Sequence, residues 1–312
     1  MRILLTGASG LVGSAFSKAA ARRGHTVVGV VGSFQGKIDG LTQRLTLDLT
    51  DRDAVTRLGL ELFPDVIVNC AAISEPAACE VDPVGSERMN VQLPGALAQL
   101  SHHLGARLLH ISSEQVFDGT QSSLYGERHP VAPINLYGRQ KVASEQAVLT
   151  GAPHTAAIVR APLLMGGSPG GRRGLHERLF GNWSAGRVSR LYTDEYRQPC
   201  SGENLAEVLL ELVERPDICG VFHWAGSELI SRHGLGLRVR EHFKLMDREA
   251  PIVAVTRAEV PDLAQHRQAC LALDISSLAG RLKTRPETVA EQLSGLGVPQ
   301  FSREWYHDCS HA

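Results

Sequence analysis

The sequence predicts an α/β fold with a doubly wound parallel Rossmann sheet and a second, smaller C-terminal lobe. Short unbroken apolar segments alternate with helical stretches, which is typical of strands buried on both faces of a parallel sheet. A glycine-spaced turn joins the first apolar segment to the first helix, as in doubly wound folds. The 312 residues, of which 43% are hydrophobic and 21% charged, are enough to bury a sizeable core.

The predicted elements alternate along the first two thirds of the chain. The predicted strands are Ile3 to Leu5, Thr26 to Val31, Val66 to Cys70, Arg107 to Ile111, Ala156 to Val159 and Val221 to Trp224. The predicted helices are Leu11 to Arg23, Asp51 to Phe63, Pro94 to Leu104, Asn135 to Leu149 and Glu203 to Glu214. Gly or Pro follows each of the first three helices, and an Asn can cap the fourth. This alternation indicates a sheet covered by helices on both faces.

The chain divides into two predicted units. Residues 1–162 form the Rossmann domain, and the sequence becomes loop-like in the glycine-rich segment Gly166 to Gly174. The helix and strand within residues 199–226 are expected to return to the main sheet. Residues 163–198 and 227–312 are then expected to form the smaller, substrate-binding lobe.

Composition excludes several classes of function. A net charge of −1 provides no bulk attraction to nucleic acid or to an anionic membrane. The sequence has no run of 18 apolar residues and no secretory signal, which predicts a cytoplasmic protein. Its six cysteines lack C-x-x-C spacing and its histidines form no ligand pattern, so reduced thiols and no metal site are expected.

The turn from Thr6 to Gly13 carries the signature of a dinucleotide site. It follows a predicted strand and opens a predicted helix, whose first N–H groups can bind a pyrophosphate. The alternative is a plain strand-to-helix turn, but the strand, the spacing and the helix all agree with cofactor binding. The predicted cofactor-binding residues here are Gly7, Ser9, Gly10, Leu11, Val12 and Gly13.

The end of the second predicted strand bears on the choice of cofactor. A site that prefers NAD usually has an acidic residue there, but this strand ends in Val-Val-Gly-Ser. Ser33 and Lys37 can donate to a 2′-phosphate, so the predicted cofactor is NADP, with NAD as the alternative. In the competing interpretation, both lie on a loop that touches nothing. Asp48 and Leu49, after the next short strand, are predicted to lie beside the adenine.

Tyr137 and Lys141 are spaced for one face of a helix, 24 residues after the pair Ser112-Ser113. A phenol next to an ammonium can donate a proton, because the cation favours the phenolate and lowers the pKa of the phenol. The competing interpretation is a solvated helix face, since such a pair also arises by chance. The glycine turn upstream favours the catalytic interpretation.

The chain as a whole resembles the extended short-chain dehydrogenase/reductase superfamily, and within it the dTDP-4-dehydrorhamnose reductase group. The matching segments are Thr6 to Gly13, Asn69 to Ala72, Met89 to Val91, Ile111 to Gly119, Asn135 to Lys141 and Gly220 to Trp224. The resemblance implies a catalytic triad of Ser113, Tyr137 and Lys141. It also implies that Ala71 and Ala72 pass near the cofactor, and that Asn90 supports the cofactor site.

The chain departs from the usual pattern of this group at the predicted substrate side. The group has Ser-Thr-Asp-Tyr where this chain has Ser113, Glu114 and Gln115 at the last three positions. Loss of the aromatic ring removes a sugar contact, so the identity of the sugar stays open. A Trp that is common in the group is absent near Leu163. The regulatory beta subunit of methionine adenosyltransferase belongs to the same group and resembles this chain at Phe222 to Gly226.

The predicted function is reduction of a 4-keto nucleotide-sugar by NADPH. Tyr137 would give its proton to the carbonyl oxygen, Ser113 would hydrogen-bond that oxygen, and Lys141 would lower the pKa of Tyr137 and hold the nicotinamide ribose. The predicted substrate-binding residues are Glu114, Gln115, Arg172 and Arg197. For Arg172 the alternative is an exposed loop, and for Arg197 a structural turn.

Two other functions stay open at the level of sequence. A nucleotide-sugar epimerase or dehydratase uses the same Tyr and Lys and regenerates its cofactor internally. A cofactor-binding regulatory subunit would instead have a protein partner. Neither nucleic acid nor a membrane is an expected partner, and a homodimer is the default oligomer.

Overall fold

A parallel sheet lies at the centre of the molecule, whose computed structural model describes residues 1–260 and 266–310. Among these residues the sheet has seven strands, every neighbouring pair of which is parallel. In spatial order the strands are Gly220–His223, Ala156–Ala161, Arg107–Ser113, Val66–Asn69, Arg2–Thr6, Thr26–Val31 and Gln43–Thr46. From the strand Arg2–Thr6 the next two strands of the chain are added on one side, and the later four are added on the other side. This change of direction confirms the predicted doubly wound sheet and places a crevice at its carboxyl edge.

Helices cover both faces of this sheet. One face carries Leu11–Arg22 and Gly202–Glu214, which pack on each other around Phe16, Leu209 and Trp224. The other face carries the helices Arg52–Leu62, Leu93–Leu104 and Leu136–Gly151, whose apolar side chains pack on the strands. The five inner strands are buried almost throughout, which explains their apolar sequences, whereas the edge strand Gln43–Thr46 is partly exposed.

The remaining elements are short. The other described α-helices are Pro76–Val81, Pro83–Glu87, Leu175–Trp183, Arg232–His242, Ser276–Ala279, Val289–Ser294 and Arg303–Ser310. A π-helical turn spans Arg88–Gln92, and 3₁₀ turns span Glu114–Val116, Arg257–Glu259 and Gln300–Ser302. The other described strands are Leu164–Met165, Ser189–Tyr192, Tyr196–Arg197, Cys200–Ser201, Ile230–Ser231, Ile252–Val255 and Cys270–Leu271.

A second core lies outside the central sheet. It centres on Phe180 and Phe243, whose rings meet edge to face at 4.8 Å, with Trp183 beside them. Tyr196–Arg197 pairs with Ile230–Ser231 on one side and with Cys270–Leu271 on the other. These short strands bring the polar side chains of residues 195–198 toward the carboxyl edge of the central sheet. The exact limits of the predicted domains stay a prediction.

The described residues include neither a membrane-spanning helix nor a cluster of metal ligands. No helix within residues 1–260 and 266–310 is long and apolar enough to cross a bilayer. The same part of the chain holds no group of three His, Cys, Asp or Glu side chains that is arranged to bind a metal ion.

Candidate active site

The glycine turn has a backbone that only glycine permits. Gly7 has a φ of +66°, and a Cβ there would lie 2.6 Å from the backbone nitrogen of Ala71. A Cβ on Gly13 would lie 2.2 Å from the carbonyl oxygen of Gly7, so the helix can start close to the strand. Gly10 precedes the first turn, and no side chain caps the helix N-terminus. The turn therefore presents free N–H groups to an anion.

The other predicted turn residues differ in exposure. Ser9 and Gly10 are half-buried at the surface of the turn, whereas Leu11 and Val12 bury their side chains in the core. Leu11 and Val12 can therefore reach a cofactor mainly through backbone atoms. Their side chains attach the helix to the sheet.

Ala71 and Ala72 lie next to the turn, at the end of the strand Val66–Asn69. The Asn69 carboxamide accepts a hydrogen bond from the Ala71 N–H at 3.2 Å. Asn90 is fully buried and holds the backbone of Ile73 at both its N–H (2.9 Å) and its carbonyl (3.0 Å). Asn90 thus fixes the segment that follows Ala72, and its buried side chain is inaccessible to a ligand. Its support of a cofactor site stays a prediction.

Of the four residues predicted for the adenosine end, three are exposed and one is buried. Ser33 and Lys37 are both exposed, and the Lys37 ammonium pairs with Asp39 at 2.9 Å. Asp48 is exposed and accepts hydrogen bonds from the Thr50 N–H and hydroxyl, while Leu49 is buried. Sequence reasoning missed Arg44, whose guanidinium donates to the carbonyls of residues 34–36 and fixes the loop that carries Lys37.

Ser113, Tyr137 and Lys141 are brought together at the carboxyl edge of the sheet, and all three are buried. Ser113 ends the strand Arg107–Ser113, and its hydroxyl is hydrogen-bonded to the Tyr137 phenol. The Lys141 ammonium lies 5.9 Å from the centre of the Tyr137 ring and donates to the Ile111 carbonyl at 2.8 Å. A hydroxyl, a phenol and an ammonium therefore share one small volume.

Burial dominates the protonation of this group. It raises the pKa of the Tyr137 phenol above its ordinary value, and the hydrogen bond to Ser113 opposes this only in part. It lowers the pKa of the Lys141 ammonium to about 8, against the attraction of Glu145. In this structure the Lys141 ammonium donates to the Ile111 carbonyl, and burial sets the direction of the Tyr137 pKa. That Lys141 lowers the pKa of Tyr137 stays a prediction.

Glu114 and Arg197 meet across the two parts of the molecule. The Glu114 Oε1 lies 3.2 Å from the Arg197 Nε, and both side chains are buried. The Glu114 Oε2 is buried without a hydrogen-bond partner among the described residues. Burial raises the pKa of Glu114 to about 8, although the Arg197 guanidinium favours its charged form. Arg197 also pairs with Glu195 at 3.2 Å.

Gln115 is held by the residue that caps the helix of Tyr137. The Asn135 carboxamide donates to the Gln115 Oε1 at 2.9 Å and accepts from the Gly138 N–H at 2.8 Å. Gln115 is only half-buried, so its amide nitrogen remains available at the edge of the site.

Arg172 lies on the glycine-rich loop, which one carboxylate fixes in place. Glu177 accepts hydrogen bonds from the backbone of Ser168, Arg173 and Gly174, at 2.7 to 2.8 Å. A groove of about 500 Å³ lies beside this loop and is lined by Arg172, Arg178, Arg187 and Phe301, among others. A Cβ on Gly170 would lie 4.0 Å from the Phe34 ring, so the same loop also approaches the adenosine end.

A buried polar cluster behind the site was also missed from the sequence. Glu145, one helical turn after Lys141, accepts hydrogen bonds from Ser112 and from both Nε and Nη2 of Arg160. The i, i+4 spacing of Lys141 and Glu145 on a buried helix was the available signal.

The family assignment follows from the chain as a whole. The family model described as RmlD substrate binding domain matches residues 1–296. The chain belongs to this family. This assignment confirms the resemblance predicted from the sequence, and with it the predicted oxidoreductase class.

Similar proteins include both kinds that the sequence suggested. The "Probable low-salt glycan biosynthesis reductase Agl14" of Haloferax volcanii is 30% identical over 95% of this chain and 97% of its own length. The methionine adenosyltransferase 2 subunit beta of Pongo abelii is 32% identical over 78% of this chain and 72% of its own length.

Solved structures share the fold over nearly the whole chain. A hypothetical dTDP-4-dehydrorhamnose reductase of Sulfolobus tokodaii is 28% identical with a TM-score of 0.79, over 96% of this chain and 100% of that one. A dTDP-4-dehydrorhamnose reductase of Bacillus anthracis, solved in complex with NADP, has a TM-score of 0.79 at 20% identity, over 94% and 96% of the two chains.

Proposed function

We propose that the protein is an NADP-dependent reductase of a 4-keto nucleotide-sugar, with NAD as the alternative cofactor. One observation carries the proposal. The glycine turn and the group Ser113, Tyr137 and Lys141 lie at the same carboxyl edge of one parallel sheet, where doubly wound folds bind their ligands.

The residues present fit a dinucleotide. A Cβ at Gly7 or Gly13 would fill the cradle, and the helix N-terminus offers uncapped N–H groups to a pyrophosphate. In this proposal Ser33, Lys37, Asp48 and Leu49 serve the adenosine end, and Ala71 and Ala72 line the path toward Lys141. Lys37 would exchange Asp39 for a 2′-phosphate. When bound, the cofactor supplies the hydride.

The proposed roles of the protein follow from the protonation of its side chains. Tyr137 keeps its proton until a carbonyl oxygen gains negative charge, because burial raises the pKa of the phenol. Ser113 hydrogen-bonds the same oxygen, and the Lys141 cation stabilises the phenolate that the proton transfer leaves behind. The buried site excludes water from this transfer.

The proposed sugar contacts lie on the other side of Ser113. In this proposal a sugar hydroxyl bonds the Glu114 Oε2, which has no hydrogen-bond partner in the described part of the chain. Gln115 and Arg197 border the same space, and Arg197 fixes the Glu114 carboxyl. Arg172 is proposed to bind the diphosphate of the substrate from the rim of its groove.

The test is turnover with a 4-keto-6-deoxy sugar nucleotide while NADPH oxidation is followed by absorbance. One NADPH oxidised per sugar reduced supports the reductase. Conversion of a nucleotide-sugar without net oxidation would point to an epimerase or dehydratase instead.

A regulatory subunit is the second candidate, and the similarity to methionine adenosyltransferase 2 subunit beta favours it. Like the reductase, such a subunit would need a cofactor site, but it would not need to turn over a substrate. Tight NADP binding without oxidation, together with co-purification of a synthetase, would support this function and contradict the reductase.

A further inference from the structure

Glu145 is a buried carboxylate that the proposed chemistry does not use. It lies on the helix Leu136–Gly151, one turn after Lys141, and only 5% of its surface is exposed. Arg160 binds it through two parallel hydrogen bonds, from Nε at 2.9 Å and from Nη2 at 2.7 Å. The Ser112 hydroxyl donates to the same Oε1 that accepts from the Arg160 Nε. Three donors therefore fix the position of this charge.

Arg160 is held as firmly as its partner. Its backbone lies opposite Ser112 in the central sheet, so the strand pairing places both donors on one carboxylate. Its Nη1 lies 3.3 Å from the His223 Nε2, and its guanidinium stacks 5.1 Å from the centre of the Phe117 ring. Burial and the adjacent Arg160 lower the pKa of His223 to about 4, so His223 adds no charge at neutral pH.

The groups that face Lys141 come from several elements. Its own helix contributes Tyr137 and Glu145, and neighbouring segments contribute Cys70, Cys79 and His110. Burial raises the pKa of both thiols, to about 12 for Cys70, and lowers the pKa of His110 well below its ordinary value. The thiols, the imidazole and the phenol are therefore uncharged at neutral pH. Of these groups, Glu145 is the carboxylate, and it forms an ion pair with Arg160 at 2.7 Å.

We infer that Glu145 is a positioning residue whose fixed carboxylate keeps the buried Lys141 ammonium charged. Arg160 and Ser112 serve this purpose by preventing the carboxylate from turning away. The inference rests on the proposed function only for its consequence in catalysis, because a charged Lys141 is what stabilises the phenolate of Tyr137. The charge of Lys141 itself can be measured without turnover.

The test measures the titration of Lys141 by NMR after ¹³C labelling of the lysine side chains. The chain has lysines at positions 18, 37, 141, 244 and 283, and Lys141 is the buried one, so its signal can be assigned with a Lys141→Arg variant. In the wild type we expect this lysine to titrate at about pH 8, since burial lowers its pKa to about 8. In Glu145→Gln the midpoint should fall by about one unit or more, because the opposing charge is lost.

Two further variants separate this effect from damage to the fold. Glu145→Gln leaves Arg160 buried without its partner, so a Glu145→Gln, Arg160→Gln double variant removes both charges while keeping the packing. It should show a smaller fall, because the loss of the positive Arg160 charge partly offsets the loss of the Glu145 charge. Glu145→Asp should restore most of the wild-type midpoint. Glu211→Gln is the matched control, because Glu211 is a buried, hydrogen-bonded carboxylate on the opposite face of the sheet.

An unchanged Lys141 midpoint in a folded Glu145→Gln variant and in the double variant would overturn the inference. In the pH profile of kcat/KM, the alkaline limb should move to lower pH in Glu145→Gln by the shift that NMR records. A wild type without turnover would contradict the proposed function alone, since the lysine titration would still decide the role of Glu145.

Discussion

The Tyr137 phenol is protonated at neutral pH because burial raises its pKa, and its hydroxyl is already hydrogen-bonded to Ser113. A protonated phenol suits the direction of reduction, in which the carbonyl oxygen must receive a proton. Lys141 contributes its charge after the proton has left. At the scale of single residues, the protonation of Tyr137 therefore suits the role of a general acid.

Tyr137→Phe should reduce turnover at least about a hundredfold, because the ring stays in place while the proton donor is lost. The dissociation constant for NADPH, measured by fluorescence titration, should change little. Tyr306→Phe is the control, since the Tyr306 hydroxyl bonds the Phe243 carbonyl in the second core. Equal turnover in Tyr137→Phe and the wild type would remove Tyr137 from the mechanism.

Asn135 ties together three segments at the start of the catalytic helix. It caps the helix at the Gly138 N–H and holds both the Gln115 side chain and the backbone carbonyl of His266. At the scale of elements, this one residue sets where Tyr137 stands relative to the strand that ends at Ser113.

Asn135→Ala should lower the free energy of unfolding in urea by about 1 kcal/mol through loss of the cap. It should also lower turnover, because the helix of Tyr137 loses its anchor. Asp51→Ala is the matched control, since Asp51 caps the helix Arg52–Leu62 away from the site. A similar loss of stability with a similar loss of turnover in both variants would contradict the special role of Asn135.

The glycine-rich loop lies between the groove lined by Arg172 and the segment around Phe34 at the predicted adenosine end. Arg172→Ala should raise KM for the nucleotide-sugar by roughly tenfold, the loss expected for one charge-assisted contact. NADPH affinity should stay the same. Arg215→Ala is the control, because Arg215 is exposed and pairs with Asp217 ahead of the strand Gly220–His223. A fall in NADPH affinity with an unchanged KM for the sugar would assign Arg172 to the cofactor instead.

At the scale of the whole molecule, a buried contact between a carboxyl and a guanidinium joins the central sheet to the second core. Glu114 directly follows the strand of Ser113, and Arg197 lies on a strand that pairs only with other short strands of the second lobe. Glu114, which is proposed to bond the sugar, is therefore oriented by Arg197 from the second lobe.

Features that depend on neighbouring residues could be predicted from the sequence, whereas contacts between distant segments could not. The apolar strands and the glycine turn are local signals, so the sheet could be predicted from them. The grouping of Ser113, Tyr137 and Lys141 was implied by the family resemblance. The pairing of Glu114 with Arg197 could not, because it depends on how two distant segments fold together. Nor could the burial that raises the pKa of Tyr137 be derived from the spacing of Tyr and Lys.

The short strands of the second lobe were also beyond prediction. Tyr196–Arg197 and Cys270–Leu271 have two residues each, too few for a period to appear in the sequence. The pairing of Lys37 with Asp39 could not be predicted either, because both lie in an irregular loop whose shape depends on Arg44.

The most direct measurement is the stoichiometry of NADPH oxidation by the wild type with a 4-keto-6-deoxy sugar nucleotide. We expect one NADPH consumed for each sugar reduced, and loss of that consumption in Tyr137→Phe with NADPH still bound. Tight NADPH binding without any oxidation across a panel of such sugar nucleotides would contradict the proposal that this chain is a reductase.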